Sequence, residues 1–227
     1  MKACPAIIAA LPRELAALVE GWKAQRLPGH IFVYTNGHAV AACAGLGGAR
    51  ATLAVQAAVA AMPITDLLSV GLAGACDPAL RVGEIVRAGI VIDSRTGERF
   101  SNSQFTQVLV SMETIASVRE KARLHASYSA AAVDMEAATV ARLAGAHGLG
   151  FRAIKAISDE ADFDVERLGQ FATQDGQFRE AAFALHTALR PSQWSNTIAL
   201  ARNSSKALDS LTTALHGELD LYKERTE

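Results

Sequence analysis

The chain has 227 residues, half of them hydrophobic, and a formal net charge of −1. With no Pro/Gly/Ser-rich linker and no composition shift, residues 1–227 read as one domain with ample material for a core. The near-zero charge and scattered basic residues argue against nucleic-acid binding driven by phosphate neutralisation and against a polybasic membrane patch.

In chain order, the first segment carries Lys2 and a short apolar run that superficially imitates a signal peptide. Pro12-Arg13-Glu14 interrupts it before a cleavage region, and the run is too short to span a bilayer. Residues 5–11 read instead as a central strand, with Pro12 at a first helical position and Glu14 in that first turn. Residues 31–35 and 39–44 read as strands joined by a turn at Asn36-Gly37. Gly45-Leu46-Gly47-Gly48 breaks the pattern before an alanine-rich helix over 49–62. Residues 67–70 form a strand that runs into a small-residue turn, Gly71-Leu72-Ala73-Gly74. Residues 82–92 are one strand, or two with a bend at Gly89. A polar loop over 94–103, a short strand over 108–112 and a basic helix over 115–127 follow. The strand 131–134 leads into Met135-Glu136 and a helix over 136–146, and the strand 151–157 ends at Ser158-Asp159-Glu160. The remainder reads as helical, broken around Arg190-Pro191-Ser192, which makes 190–227 a helical C-terminal extension.

Alternating strands and helices imply a three-layer α/β/α domain around a central, mostly parallel mixed sheet. Ligands of such sheets bind beyond the carboxyl ends of the strands. Glu14, the loop with Leu46 and Gly47, the loop from Gly71 to Gly74, Glu136 and Asp159 all fall at such ends.

Each signal has a plainer reading. Gly45-Leu46-Gly47 before a helix imitates a dinucleotide fingerprint, but Arg50 stands where its third glycine belongs. Asp66, about 20 residues on, precedes the next strand instead of ending it, which counts against a nicotinamide oxidoreductase. Gly71 and Gly74 serve close packing or contact with a substrate equally well. Glu136 suits the helix dipole as well as a sugar diol. Asp159 suits a turn, except that it directly follows an apolar strand and so faces the rim. Three acids near 159–162 suggest a metal, but no matching His or Asp cluster accompanies them. Six histidines fall in turns or on exposed helix faces, with no G-x-S-x-G elbow, and no cofactor is implied. Cys4, Cys43 and Cys76 lack any C-x-x-C spacing, so they read as reduced, buried thiols of a cytoplasmic protein.

Together, IIAALPREL, GLGGARATLAVQAAV, SVGLAGACDPALRVGEIV and above all VDMEAATVARLAGAHGLGFRAIKAISDEAD resemble the nucleoside phosphorylase family that includes the methylthioadenosine/S-adenosylhomocysteine nucleosidases. The resemblance implies cleavage of the N-glycosidic bond of a purine nucleoside. Asp159 matches the acid at purine N7, and Ser158 stands beside it in the ISD motif. Glu136 and Met135 match the carboxylate and methionine at the ribose. Glu14 matches the glutamate that activates water, and the stretch with Ile115 looks like part of the base pocket. The short loop with TGERF, the AVDMEA motif and the long tail are similar to the hopanoid-associated branch, which implies a lipid-linked adenosyl substrate such as adenosylhopane. A homodimer is implied by the family's habit of completing its pocket across an interface.

The chemistry needs these groups. Glycosidic cleavage builds positive charge on the sugar and negative charge on the departing base. One carboxyl group serves the leaving purine, a second activates water and a third stabilises the cationic sugar. The arginines that phosphate-dependent relatives carry are replaced here by Glu14 and Ser69, which favours water over phosphate. A phosphorylase, and a nucleoside-binding protein without chemistry, are the alternatives.

Overall fold

The computed structural model describes residues 4–101, 104–164 and 194–224. Its strands are β1 (Pro5–Ala9), β2 (Lys23–Leu27), β3 (Ile31–Thr35), β4 (Val40–Cys43), β5 (Asp66–Ala75), β6 (Ile85–Asp93), β7 (Arg99–Ser101), β8 (Gln107–Ser111), β9 (Ala130–Asp134) and β10 (Gly150–Asp159). The helices are α1 (Gly48–Ala61), α2 (Val118–Tyr128), α3 (Ala137–His147) and α4 (Trp194–Glu224). The break expected around Arg190-Pro191-Ser192 lies outside the described residues.

All strands join one mixed sheet. Parallel pairing links β4, β1, β5 and β10, and separately β6, β8 and β9. Antiparallel pairs join these two groups, β5 with β9 and β10 with β6, so that β5, β10, β6, β8 and β9 close into a ring. From that ring β1, β4, β3 and β2 extend as an open sheet.

Alternation along the central strands makes the layers, because successive side chains leave a strand on opposite faces. Ala6 and Ile8 of β1 and Ala42 of β4 pack on Val55 and Ala58 of α1 and Val140 of α3. Ile7 and Ala9 of β1 and Ala41 of β4 face the other way, onto Ala207, Leu211 and Leu215 of α4. Strands β1, β4 and β9 are buried along their whole length, which is why they read as unbroken apolar runs. α4 is clamped to the sheet by Arg152 of β10, which pairs with Glu218 and lies 5.4 Å from the centre of the Tyr222 ring.

Several sequence expectations need adjustment. The segment Gly71-Leu72-Ala73-Gly74 is not a turn: β5 continues through it, because β10 pairs alongside as far as Gly74. The polar stretch 94–103 is not all loop, since Arg99–Ser101 pairs with β6 as β7. Strand β2 had little apolar signal: the first four of its five residues, Lys23, Ala24, Gln25 and Arg26, are exposed, and backbone pairing with β3 makes it a strand. α2 begins at Val118, later than residue 115, because Ser117 and Glu120 form a reciprocal capping box there. β6 is one strand whose pairing with β8 slips between Ala88 and Ile90. No helix among the described residues is long and apolar enough to cross a membrane.

Gly89 sits at that slip, and a Cβ there would lie 1.7 Å from the carbonyl oxygen of Phe105. Backbone cannot rotate away as a side chain can. Gly89→Ala is therefore expected to cost at least about 1–3 kcal/mol, read as a lowered thermal midpoint, whereas Ala at the unobstructed Gly145 leaves it nearly unchanged.

Candidate active site

Glu14 ends a single 3-10 turn, Pro12–Glu14, separated from β1 by Ala10 and Leu11. Pro12 supplies the fixed φ that starts the turn, and the turn points the glutamate back over the strand end. Glu14 is buried, and three backbone amides donate to it: Ala10 N–H (3.0 Å) and Leu11 N–H (2.8 Å) to Oε2, Leu72 N–H (3.1 Å) to Oε1. Gly71, at φ +128°, makes room for it, since a Cβ there would lie 2.8 Å from Oε1.

Asp159 is the last residue of β10, paired in register with Gly74 of β5. Ser158 donates its hydroxyl to Asp159 Oδ1 at 2.6 Å. Lys121 of α2 donates to Oδ2 at 2.5 Å, and both side chains are almost wholly enclosed. Gly74 makes room for this pair: its Cβ would lie 2.8 Å from Asp159 Oδ2 and 3.1 Å from Lys121 Cε.

A third acid site lies where β9 turns into α3. Asp134 caps the helix by accepting from Ala137 N–H at 2.9 Å, and accepts the Ser111 hydroxyl at 2.5 Å. Lys155 of β10 completes it, with Nζ 2.9 Å from Asp134 Oδ2 and donating to the Val70 carbonyl at 3.1 Å. Burial by itself would lower the Lys155 ammonium, but the Asp134 and Glu136 carboxylates outweigh it and raise the group.

Glu136 is the N-cap residue of α3 but does not cap it with its side chain. Instead it reaches across the sheet to accept the Gly47 N–H at 2.7 Å. Burial pushes its carboxyl up to about 7, with Asp134 and Glu14 adding to the rise, while Lys155 and the Gly47 amide oppose it.

Glu14, Lys121, Asp134, Glu136 and Asp159 border one cleft of about 540 Å³. Of the residues expected from sequence, Glu14, Leu46, Gly74, Ile115, Met135, Glu136, Ser158 and Asp159 line it. Gly47 and Gly71 do not stand among the lining residues: one binds Glu136, the other clears space for Glu14. Sequence reasoning missed Lys121 and Lys155. A lysine inside the otherwise apolar run Phe151-Arg152-Ala153-Ile154-Lys155-Ala156-Ile157 was the available signal for the second. That reasoning expected a helix in 190–227 but not its place at the cleft, which Leu200, Ser204 and Leu208, recurring every fourth residue along one face of α4, help to wall. Four of the six histidines are exposed, His125 bonds the Ala130 carbonyl, and His186 lies outside the described residues. No group of three His, Cys, Asp or Glu side chains among the described residues is placed to hold a metal, and Asp162 is exposed. The three cysteines are buried thiols, and burial pushes Cys43 and Cys76 up to about 12.

The enclosed pair predicts its own sensitivity. Lys155→Met leaves Asp134 buried without its cation and is expected to cost about 3–5 kcal/mol, measured by denaturant unfolding. The double change with Asp134→Asn should recover part of that loss.

Known proteins share this fold. A family model described as the phosphorylase superfamily matches residues 6–117 and 96–190. No curated protein matches the chain. Among solved structures, the 5′-methylthioadenosine/S-adenosyl homocysteine nucleosidase of Helicobacter pylori superposes with a TM-score of 0.71 at 16% identity, covering 96% of this chain and 98% of that one. The futalosine hydrolase of the same organism gives a TM-score of 0.70 at 16% identity, covering 97% and 98%. The S-adenosylhomocysteine nucleosidase of Streptococcus pyogenes gives 0.66 at 17% identity, covering 96% and 98%. At such identities the likeness is one of fold.

Proposed function

The chain belongs to the phosphorylase superfamily, and we propose that within it this enzyme hydrolyses the N-glycosidic bond of an adenine-type nucleoside. The observation that carries water over phosphate is the position of Glu14. Its carboxylate already takes up the Ala10, Leu11 and Leu72 amides, three donors that an anion at this strand end would need. Arg50 is likewise committed, donating from Nε to the Ala44 carbonyl at 2.6 Å and from its guanidinium to Gly29.

In this reading Glu14 takes a proton from the attacking water as its oxygen bonds to C1′. The C1′–N9 bond breaks with its electron pair leaving on the purine, and N7 takes a proton from the side of Asp159. Glu136 accepts hydrogen bonds from the ribose hydroxyls, Met135 packs on the sugar, and the carboxylates around the ring stabilise its positive charge. The solved relatives support the substrate class: one holds 5′-methylthioadenosine in its active site, and another is a futalosine hydrolase.

For the 5′ substituent we propose a large apolar group, of which adenosylhopane is the candidate. The polar groups gather at the strand ends, whereas Leu11, Leu46, Leu72, Ile115, Leu200 and Leu208 supply the apolar wall. Adenine release should rise as the 5′ group is lengthened from hydroxyl to methylthio to long alkylthio, and should be the same with and without phosphate. A strict phosphate requirement with ribose 1-phosphate as product would sink the hydrolase reading.

Glu136 gives a pH signature. As a hydrogen-bond acceptor for the diol it must be ionised, and its carboxyl is held at about 7. Hence kcat/KM should climb as pH rises through about 7 and fall below it. Glu136→Gln should be uniformly slow and should lack that acidic limb, checked by a pH–rate profile.

A further inference from the structure

The chemistry above asks Asp159 to deliver a proton, yet in the resting site both its oxygens are acceptors. Oδ1 receives the Ser158 hydroxyl and Oδ2 the Lys121 ammonium. A carboxylate oxygen that accepts must be given a proton before it can deliver one. Of the two groups bonded to it, the ammonium is the acidic one.

Lys121 is built into this position. It lies on α2, its side chain is 1% exposed, and its three N–H bonds are all used: on Asp159 Oδ2 at 2.5 Å, on the Glu160 carbonyl at 2.9 Å and on the Phe163 carbonyl at 3.0 Å. The two carbonyls are the acceptors that a neutral amine's two remaining N–H bonds would need, so the site can hold the lysine after it gives up its third proton. The titratable groups facing it are Asp159 from β10 and the Cys76 thiol just beyond β5, which burial pushes up to about 12. On its own helix, Glu120 is bonded to Ser117 and His125 to Ala130.

We propose that Lys121 is the proton source of the leaving-group acid, acting through Asp159. The inference rests on the hydrolase reading above. As the C1′–N9 bond breaks and its electron pair goes to the purine, Lys121 Nζ first hands a proton to Asp159 Oδ2, and Asp159 then passes that proton to N7 and is again a carboxylate, leaving Lys121 as the neutral amine. Adenine leaves neutral with a proton on N7. The water proton collected by Glu14 returns to solvent, solvent reprotonates Lys121, and no charge accumulates over a turnover.

The test compares two substrates, 5′-methylthioadenosine and 4-nitrophenyl riboside, whose leaving group needs no protonation. Four proteins are set beside the parent: Lys121→Gln, Lys121→Arg, Asp159→Asn and the Lys121→Gln/Asp159→Asn double variant, each checked for a native melt. Lys121→Gln should lose on the order of 10²-fold in kcat/KM on the adenine nucleoside and far less on the nitrophenyl riboside. Its deficit relative to the parent, taken at each pH so that the Glu136 limb cancels, should shrink as pH falls and solvent supplies the proton. Lys121→Arg keeps the charge but cannot release a proton, and should not restore the rate. Should the glutamine variant not fold, the arginine variant alone carries the test. The double variant should be no slower than Asp159→Asn, because both changes cut one path. Near-parental turnover by Lys121→Arg, an equal loss on both substrates, or additive losses in the double variant would each overturn the relay while leaving the hydrolase reading in place. A parent protein that releases no adenine from any nucleoside would overturn both.

Discussion

Asp134 and Lys155 face each other with almost no solvent access, and Lys155 also reaches the Val70 carbonyl of β5. Strands β9 and β10 both pair with β5, so this one ammonium ties together the two strands that flank it and the strand between. The same contact fixes the β9-to-α3 junction, because the Asp134 oxygen bonded to Lys155 also caps α3. From that junction hang Met135 and Glu136, and β10 ends four residues beyond Lys155 in Asp159. A charge buried this deeply is tolerable only with its partners in place, so it constrains the register of three strands at once.

The acids at the rim differ in how far their burial is compensated. Glu14 has three backbone donors, Asp159 a lysine and a serine, and Asp134 a lysine, a serine and a backbone amide. Glu136 has the Gly47 amide, and two carboxylates lie near enough to raise it further. The one that is held near neutrality is therefore the one facing the sugar in the proposed reaction, where substrate hydroxyls would supply the missing donors. In that reaction the sugar hydroxyls would offset the desolvation that the protein's own donors leave unmatched.

Small residues in β5 make this crowding possible. Gly71 leaves space for the Glu14 carboxylate and Gly74 for the Asp159–Lys121 pair. Either side chain would drive the acids out of a strand that otherwise continues regularly past them. α4 adds the opposite character. Its inward face joins the core through Ala207, Leu211 and Leu215, while Leu200, Ser204 and Leu208 front the cleft. One long helix thus stabilises the sheet and gives the site an apolar wall.

The residue pattern alone determined the α/β class, the hairpin at Asn36-Gly37, most helix spans and the strand ends at which Glu14, Glu136 and Asp159 lie. These follow from local periodicity, turn chemistry and the rule that parallel sheets bind ligands at their carboxyl ends, all of which act over a few residues. Strand β2 was invisible because most of its residues are solvated and a partner strand makes them β. The glycines of β5 read as a turn because nothing local reveals that β10 pairs beside them or that carboxylates occupy the space above. The pairing of Lys121 with Asp159 spans 38 residues, and the placement of α4 against the cleft joins segments still further apart. Charge compensation in a buried site is a property of what meets in space, and sequence order carries no direct record of it.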